Sequence, residues 1–218
     1  MNDVITLQDA HAAADLKVYL SRARLVDDTA VRLIAGEGVL AVYSAVLHPR
    51  GLLDASPTIL GLRTFAERSG AAFDRVVAPA AMSDRLALLD TADNNPSIPL
   101  PAADVRTSWS GIAPPRDGWE RVSSLNSLAL ELVARDGAGE VARTVPPNSG
   151  DLIVQRVRSE VWSRPLGDHA DVPSGIAFAA ASLGFLVGDE EIPLFASGGW
   201  LRASPARGHV LVRTSRGL

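Results

Sequence analysis

The sequence predicts an α+β fold, with a mainly antiparallel N-terminal sheet and its helices, a helical middle and a C-terminal β-hairpin. Three observations predict it. Runs of apolar and β-branched residues cluster in the first third, segments with helical spacing fill the middle, and two apolar runs flanking SPARG close the chain. This order differs from the regular strand–helix alternation that builds a parallel α/β sheet.

The elements follow in order. Residues 6–24 have helical spacing at Leu7, Ala10, Ala13, Ala14, Tyr19 and Leu20, with Thr6 as the expected cap. Thr29–Ala35 and Val39–Leu47 flank Gly36-Glu37-Gly38 and predict a hairpin. His48-Pro49-Arg50-Gly51 ends the second run, and further strands are expected at Thr58–Phe65 and Asp74–Ala78. Pro79 suits the first turn of a helix running to about Leu89. The segment TADNNPSIPLP lacks periodicity, so residues 91–104 are expected to link an N-terminal lobe (1–90) to a C-terminal lobe (105–218).

In the second lobe Val105–Trp109 is read as a strand and SGIAPPRDG as a loop. A helix is expected from Ser123 or Ser124, with Leu125, Leu128, Ala129, Leu132 and Val133 on one face and Gly137 near its end. A shorter helix over Ala138–Val145 would stop at Pro146-Pro147, and Asp151–Ser163 fits either helix or strand. Ile176–Leu186 is apolar all round and is expected to be a buried helix carrying Phe185 into the core. It would pack on a terminal hairpin of Leu194–Ala203 against His209–Thr214.

Composition excludes several chemistries. Of 218 residues, 47% are hydrophobic and 21% charged, which is the balance of a globular chain able to bury its own core. Cysteine is absent, so thiol nucleophiles, disulfides, iron–sulfur clusters and cysteine zinc sites are excluded. Lys17 is the sole lysine and lacks the glycine-rich context of a phosphate-binding loop. His11, His48, His169 and His209 show no ligand spacing, and no G-x-S-x-G elbow is present. No cofactor and no metal ion are expected. The N-terminus carries early acids and no apolar core segment, and the longest apolar run has 12 residues, so no membrane role and a cytoplasmic location are expected.

Four segments hold candidate chemistry. GEGVLA (Gly36–Ala41) fits a dinucleotide-binding pattern, but the run after it reads as a strand rather than a helix, which favours a plain hairpin turn. WSGIAPPRDGW offers Trp109, Arg116 and Trp119 as a partner or ligand loop, with anchoring of the connection as the structural alternative. DHAD sets His169 among carboxylates, the composition of a general base. Residues 192–218 carry four arginines and no acid, so the other 191 residues carry −8 of the net −4. Arg202, Arg207, His209 and Arg213 are therefore candidates for anion binding.

The pieces VWSRPL, PSGIAFAAASLGFL, GGWLRASPARGHVLVR, LGLRTF and PPRDGW resemble a family of uncharacterised proteins of high-GC Gram-positive bacteria. The resemblance implies a bacterial cytoplasmic protein and assigns no activity.

The leading reading is a binding or assembly module. The long apolar strand VLAVYSAVL, which needs cover on both faces, points to a homodimer. The alternative is an enzyme or sensor for a small phosphorylated or carboxylated metabolite held by arginine clamps. A pI near 5.6 and 5% aromatic residues argue against nucleic acid as a partner. Convergence of the C-terminal arginines and His209 in one cavity would favour the metabolite reading, and their dispersal would favour the module.

Overall fold

The computed structural model describes residues 4–51, 53–89 and 94–213. They form an α+β fold whose chain divides into two units, Met1–Ala45 with Leu62–Gly111 and Val46–Gly61 with Ile112–Leu218. Residues 94–104, from the expected linker, belong to the first unit and supply one of its strands.

The first unit contains β1 (Val4–Thr6), α1 (Ala10–Val26), β2 (Val31–Gly36), β3 (Val39–Leu47), β4 (Thr58–Ala66), β5 (Phe73–Val77), α2 (Pro79–Ala87) and β6 (Ser97–Pro99). Its sheet runs β5-β2-β3-β4, and β1 pairs separately with β6. Helix α1 begins later than its spacing suggests because Asp9, not Thr6, accepts the Ala12 N–H at 2.8 Å. Thr6 instead lies opposite Ser97 in the β1–β6 pair. Leu16, Tyr19, Leu20 and Ala23 of α1 are buried, as are Met82 and Leu86 of α2 and Leu33, Leu40 and Val42 of the sheet. Glu37 (φ 52°) and Gly38 (φ 77°) join β2 to β3 in a two-residue turn with both residues left-handed. The GEGVLA segment is thus a hairpin turn that enters a strand. Val105–Trp109 forms no strand. The Val105 N–H donates to Val76 O at 2.8 Å, and a short 3-10 turn follows at Trp109–Gly111.

One buried carboxylate ties this unit together. Glu67 is 5% exposed and accepts from the backbone N–H groups of Thr6, Ser69, Gly70 and Ala71 at 2.8–3.3 Å, and from the Ser69 hydroxyl. Its own N–H donates to Gly38 O at 2.8 Å. It therefore joins β1, the β2–β3 turn and the turn after β4.

The second unit contains β7 (Glu120–Asn126), α3 (Ser127–Thr144), α4 (Asp151–Trp162), β8 (Pro165–Leu166), β9 (His169–Pro173), α5 (Gly175–Ser182), β10 (Glu191–Ser197), β11 (Trp200–Ala203) and β12 (His209–Arg213). Its strands run β12-β11-β10-β7, with β12 beside β4, whose Thr58–Gly61 belong to this unit. The helix expected from Ser123 starts at Ser127. Residues 120–126 pair with β10, and Asn126 then caps α3 by accepting the Ala129 N–H at 3.0 Å. Helix α3 continues through Gly137 and Gly139 to Thr144, so no separate helix forms over Ala138–Val145. Asp151–Trp162 is helical.

The expected terminal strand Leu194–Ala203 is folded in two by Gly198 and Gly199, both with positive φ, and β10 and β11 form a hairpin with β12 as a third strand. Helix α5 packs on α3 and β12. Ile176, Ala177, Ala179 and Ala180 are fully buried, as is Phe185 beyond its end. A Cβ placed on Gly208 would lie 2.6 Å from the Phe185 ring, so the glycine before β12 leaves the room that ring occupies.

Two predictions follow from these contacts. Phe185→Ala is expected to cost about 3–5 kcal/mol by leaving a cavity, whereas Val187→Ala, at a 39% exposed site, should change the melting temperature little. Equal melting of the two variants in a thermal scan would place Phe185 outside the core. Glu67→Ala strands several buried N–H donors and should cost about 2–3 kcal/mol. Burial works to raise the Glu67 pKa, but the hydrogen bonds from Ser69, Thr6 and Ala71 outweigh it and hold it below the ordinary glutamate value. The charged form is thus favoured by folding. Its contribution is complete above the unfolded-state pKa, about 4.3, and is lost as pH falls through the lower folded value. The gap in melting temperature between wild type and Glu67→Ala should accordingly shrink on acidification, and a gap independent of pH down to acid unfolding would refute the role of the charge.

Candidate functional site

The second unit contains an open groove of about 1220 Å³. Leu194 and Ala196 of β10 and Trp200 and Leu201 of β11 line it, with Glu120, Val122 and Ser123 of the end strand β7. The β8–β9 hairpin contributes Asp168, His169 and Asp171. Arg213 lies at the C-terminal end of β12.

Local sequence explains these positions. The register of β7 on β10 shifts between Leu194, opposite Ser123, and Phe195, opposite Arg121. Val122 is the extra residue of that bulge and stays 55% exposed in the groove. Ile112, also on the groove, is 38% exposed. The groove thus combines an apolar floor with two exposed aliphatic side chains. The formal charge of Glu120, Asp168, Asp171 and Arg213 sums to −2. An acidic groove repels an anionic metabolite, attracts a basic ligand and tolerates a neutral one.

The His169 ring makes no hydrogen bond among the described residues, so neither neighbouring carboxylate orients it as a general base is normally oriented. Among the described residues no three His, Asp or Glu side chains are grouped to hold a metal ion.

The C-terminal candidates separate. Arg213 lines the groove. Arg207 lies exposed on the connection between β11 and β12. Arg202 lies opposite Leu211 in the β11–β12 pair, so it shares a sheet face with His209 and Arg213 of β12. Its guanidinium carbon sits 4.5 Å from the ring centre of Trp119 and 4.8 Å from that of Phe195. His209 Nδ1 is 3.0 Å from Ser204 Oγ. Burial, then the Arg202 charge, hold the His209 pKa below its ordinary value, so the ring is neutral at neutral pH. The four residues do not converge on one cavity.

The tryptophan loop is anchored at both ends. Trp109 is a buried residue of the first unit. Trp119 is half-buried in the second, donates Nε1–H to Pro115 O at 3.1 Å and stacks on Arg202. Arg116 is exposed between them. Sequence reasoning missed Phe195, Glu120 and Val122. The signal for Phe195 is the Gly198-Gly199 pair, because a two-residue turn there sets 195 opposite 202.

Residues 1–111 match the family model described as Domain of unknown function (DUF8010), which is just over half of the 218 residues. The chain belongs to that family. Residues 114–217 match a second model, Domain of unknown function (DUF8185). No curated protein matches the chain. Among solved structures, it is similar to a putative DNA polymerase III beta subunit from Eubacterium rectale, with TM-score 0.56 and 10% identity over 99% of this chain and 66% of that one. A DnaN sliding clamp from Bartonella birtlesii gives 0.52 and 10% over 99% and 65%. The beta sliding clamp of Caulobacter crescentus, with polyethylene glycol at a putative beta-motif tethering region, gives 0.50 and 11% over 99% and 65%. The DUF8010 chain therefore has a sliding-clamp-like fold and spans just under two thirds of the length of these clamps.

Proposed function

We propose that this protein is a binding and assembly module that docks a short, neutral-to-basic segment of a partner protein in the groove of its second unit. The observation that carries the reading is that groove. It is larger than the roughly 300–1,000 Å³ of a small-molecule site, and it presents Val122 and Ile112 beside three carboxylates. Exposed aliphatic side chains rimmed by charge suit protein docking better than turnover of a metabolite. The clamp-like fold supports the same reading, since one of the similar clamps is described with a putative beta-motif tethering region. That only Arg213 of Arg202, Arg207, His209 and Arg213 lines the groove weighs against the metabolite-sensor alternative.

Self-association as a homodimer is part of the proposal, but β3 is not its basis. Leu40, Val42, Ala45, Val46 and Leu47 of that strand are buried within a single chain. The surface offered to a second copy is instead the outer side of α3, where Leu128 and Leu132 are 45% and 50% exposed.

A second reading, contact with DNA, is favoured by the polymerase-clamp titles of the similar structures. Charge opposes it, because residues 1–191 carry a net −8 and DNA affinity comes mainly from neutralised phosphates.

A random-peptide display selection on the purified protein separates these readings. Enrichment of peptides that pair an apolar residue with Lys or Arg is expected, together with their loss on Val122→Glu at unchanged melting temperature. Failure to enrich any peptide, or enrichment indifferent to Val122→Glu, removes the docking groove. Fluorescence anisotropy with duplex DNA at physiological ionic strength should show no saturable binding, and saturable binding there would transfer the proposal to DNA. Light scattering at micromolar concentration tests the dimer, and a monomeric mass ends that part of the reading.

A further inference from the structure

Among the described residues, the second unit holds one half-buried guanidinium with no hydrogen bond to the protein. Arg202 has the two ring contacts given above, and no acid pairs with it. Its Nε is buried and unbonded, while the Nη groups escape full burial. Arg85 of the first unit also has a buried, unbonded Nε, whereas three other half-buried arginines there behave differently. Arg32 is paired with Asp74 at 2.6 Å, Arg63 with Asp15 at 2.5 Å and Arg75 with Asp104 at 2.6 Å.

A desolvated cation without a counter-charge is costly, and stacking on two rings offsets only part of that cost. The arrangement sets a flat guanidinium over the Trp119 and Phe195 rings, with its terminal nitrogens still accessible to solvent. That geometry suits a carboxylate approaching end-on, because the fork is already oriented and the rings exclude water from its faces. We propose that the Trp119–Arg202–Phe195 stack is a binding site for an Asp or Glu side chain of an acidic protein segment. Arg202, Trp119 and Phe195 do not line the groove, but Trp200 and Arg213 on the same sheet face do, so this site adjoins the docking groove and is distinct from it in its residues.

The surroundings favour an acidic peptide over a nucleic acid. Arg202 and Arg213 are the cations of that sheet face on β11 and β12, His209 is neutral there, and Arg121 on β7 is engaged by Glu191 at 2.7 Å. A phosphate backbone requires a longer row of free cations than this.

The test is fluorescence anisotropy with dye-labelled hexaglutamate at physiological ionic strength. Saturable binding is expected in the wild type. Arg202→Gln should weaken it by about tenfold or more, which corresponds to losing about 1.4 kcal/mol. Arg202→Lys should also weaken it, since an ammonium keeps the charge but not the planar fork. Arg116→Gln, on the exposed loop before Trp119, should bind as the wild type does. The melting temperature of each variant checks folding, and if Arg202→Gln does not fold, Arg202→Lys decides. Absence of saturable binding, equal affinity of Arg202→Gln and wild type, or tighter binding of an oligothymidylate of matched charge would each overturn the proposal.

Discussion

The architecture of the second unit depends on the close approach of three helices around Trp162. A Cβ on Gly137 of α3 would lie 2.4 Å from the Trp162 ring, and one on Gly175 would lie 2.5 Å from Ile59 Cδ1 and 2.9 Å from the Trp162 carbonyl. The ring itself stacks on Phe178 of α5, with centres 4.6 Å apart. Only glycine permits these approaches, and at Gly137, inside α3, it does so against helix propensity. The consequence reaches the groove. The β8–β9 hairpin is the short connection between α4 and α5, and Ser174, just before α5, donates its N–H to Arg164 O at 2.7 Å and its hydroxyl to Val161 O at 3.0 Å. The spacing of α4 and α5 thus sets where Asp168, His169 and Asp171 stand.

A second anchor holds the opposite wall. Ser127 is fully buried at the β7–α3 junction; its hydroxyl donates to Gly188 O at 2.7 Å and accepts the Glu190 N–H at 2.8 Å. Its own N–H donates to Glu190 O at 3.1 Å. This node binds the end of β7 to the start of β10 and fixes the pairing register on one side of the bulge. Val122 can then project without loosening the strand. Bulges at sheet edges both blunt uncontrolled pairing and redirect a side chain, and here the redirected side chain is an exposed aliphatic one in an acidic groove.

Much of the fold was legible in the sequence, and the misses have local causes. The hairpin at Gly36–Gly38, the strand at Thr58 and the buried run from Ile176 are strong because period and turn chemistry agree there. The start of α3 was misplaced because Leu125, Leu128 and Leu132 continue a helical spacing backward into β7, where Leu125 is buried as a strand residue opposite Ile192. The helix expected to end near Gly137 runs on, and the strand expected to run unbroken over Leu194–Ala203 is broken, for one reason, which is what surrounds the glycine. Gly137 faces an indole ring inside a helix, whereas Gly198 and Gly199 adopt positive φ in a turn. Of the site, sequence supplied Arg202, Arg213 and Trp119 as isolated residues. Their separation into a groove and a stacked pair needed the strand register, which only the Gly-Gly turn encodes.

An arginine-rich, nearly lysine-free composition makes an individual arginine a poor signal, since most such residues answer to a nearby acid. What distinguishes Arg202 is the imbalance around it. Residues 192–218 contain no acid, so strands β11 and β12 bring no carboxylate of their own to that face. The neighbouring acid on β10, Glu191, is already engaged by Arg121. The fold gives Arg202 two aromatic faces and withholds an anion, while it gives the groove three carboxylates and a single arginine. A net negative groove beside an unpaired cation is the pattern of a surface that tells partners apart by sign. Such a division favours a chain that holds two unlike protein segments over one that processes a single substrate, because a reaction site gathers its acids and bases around one point.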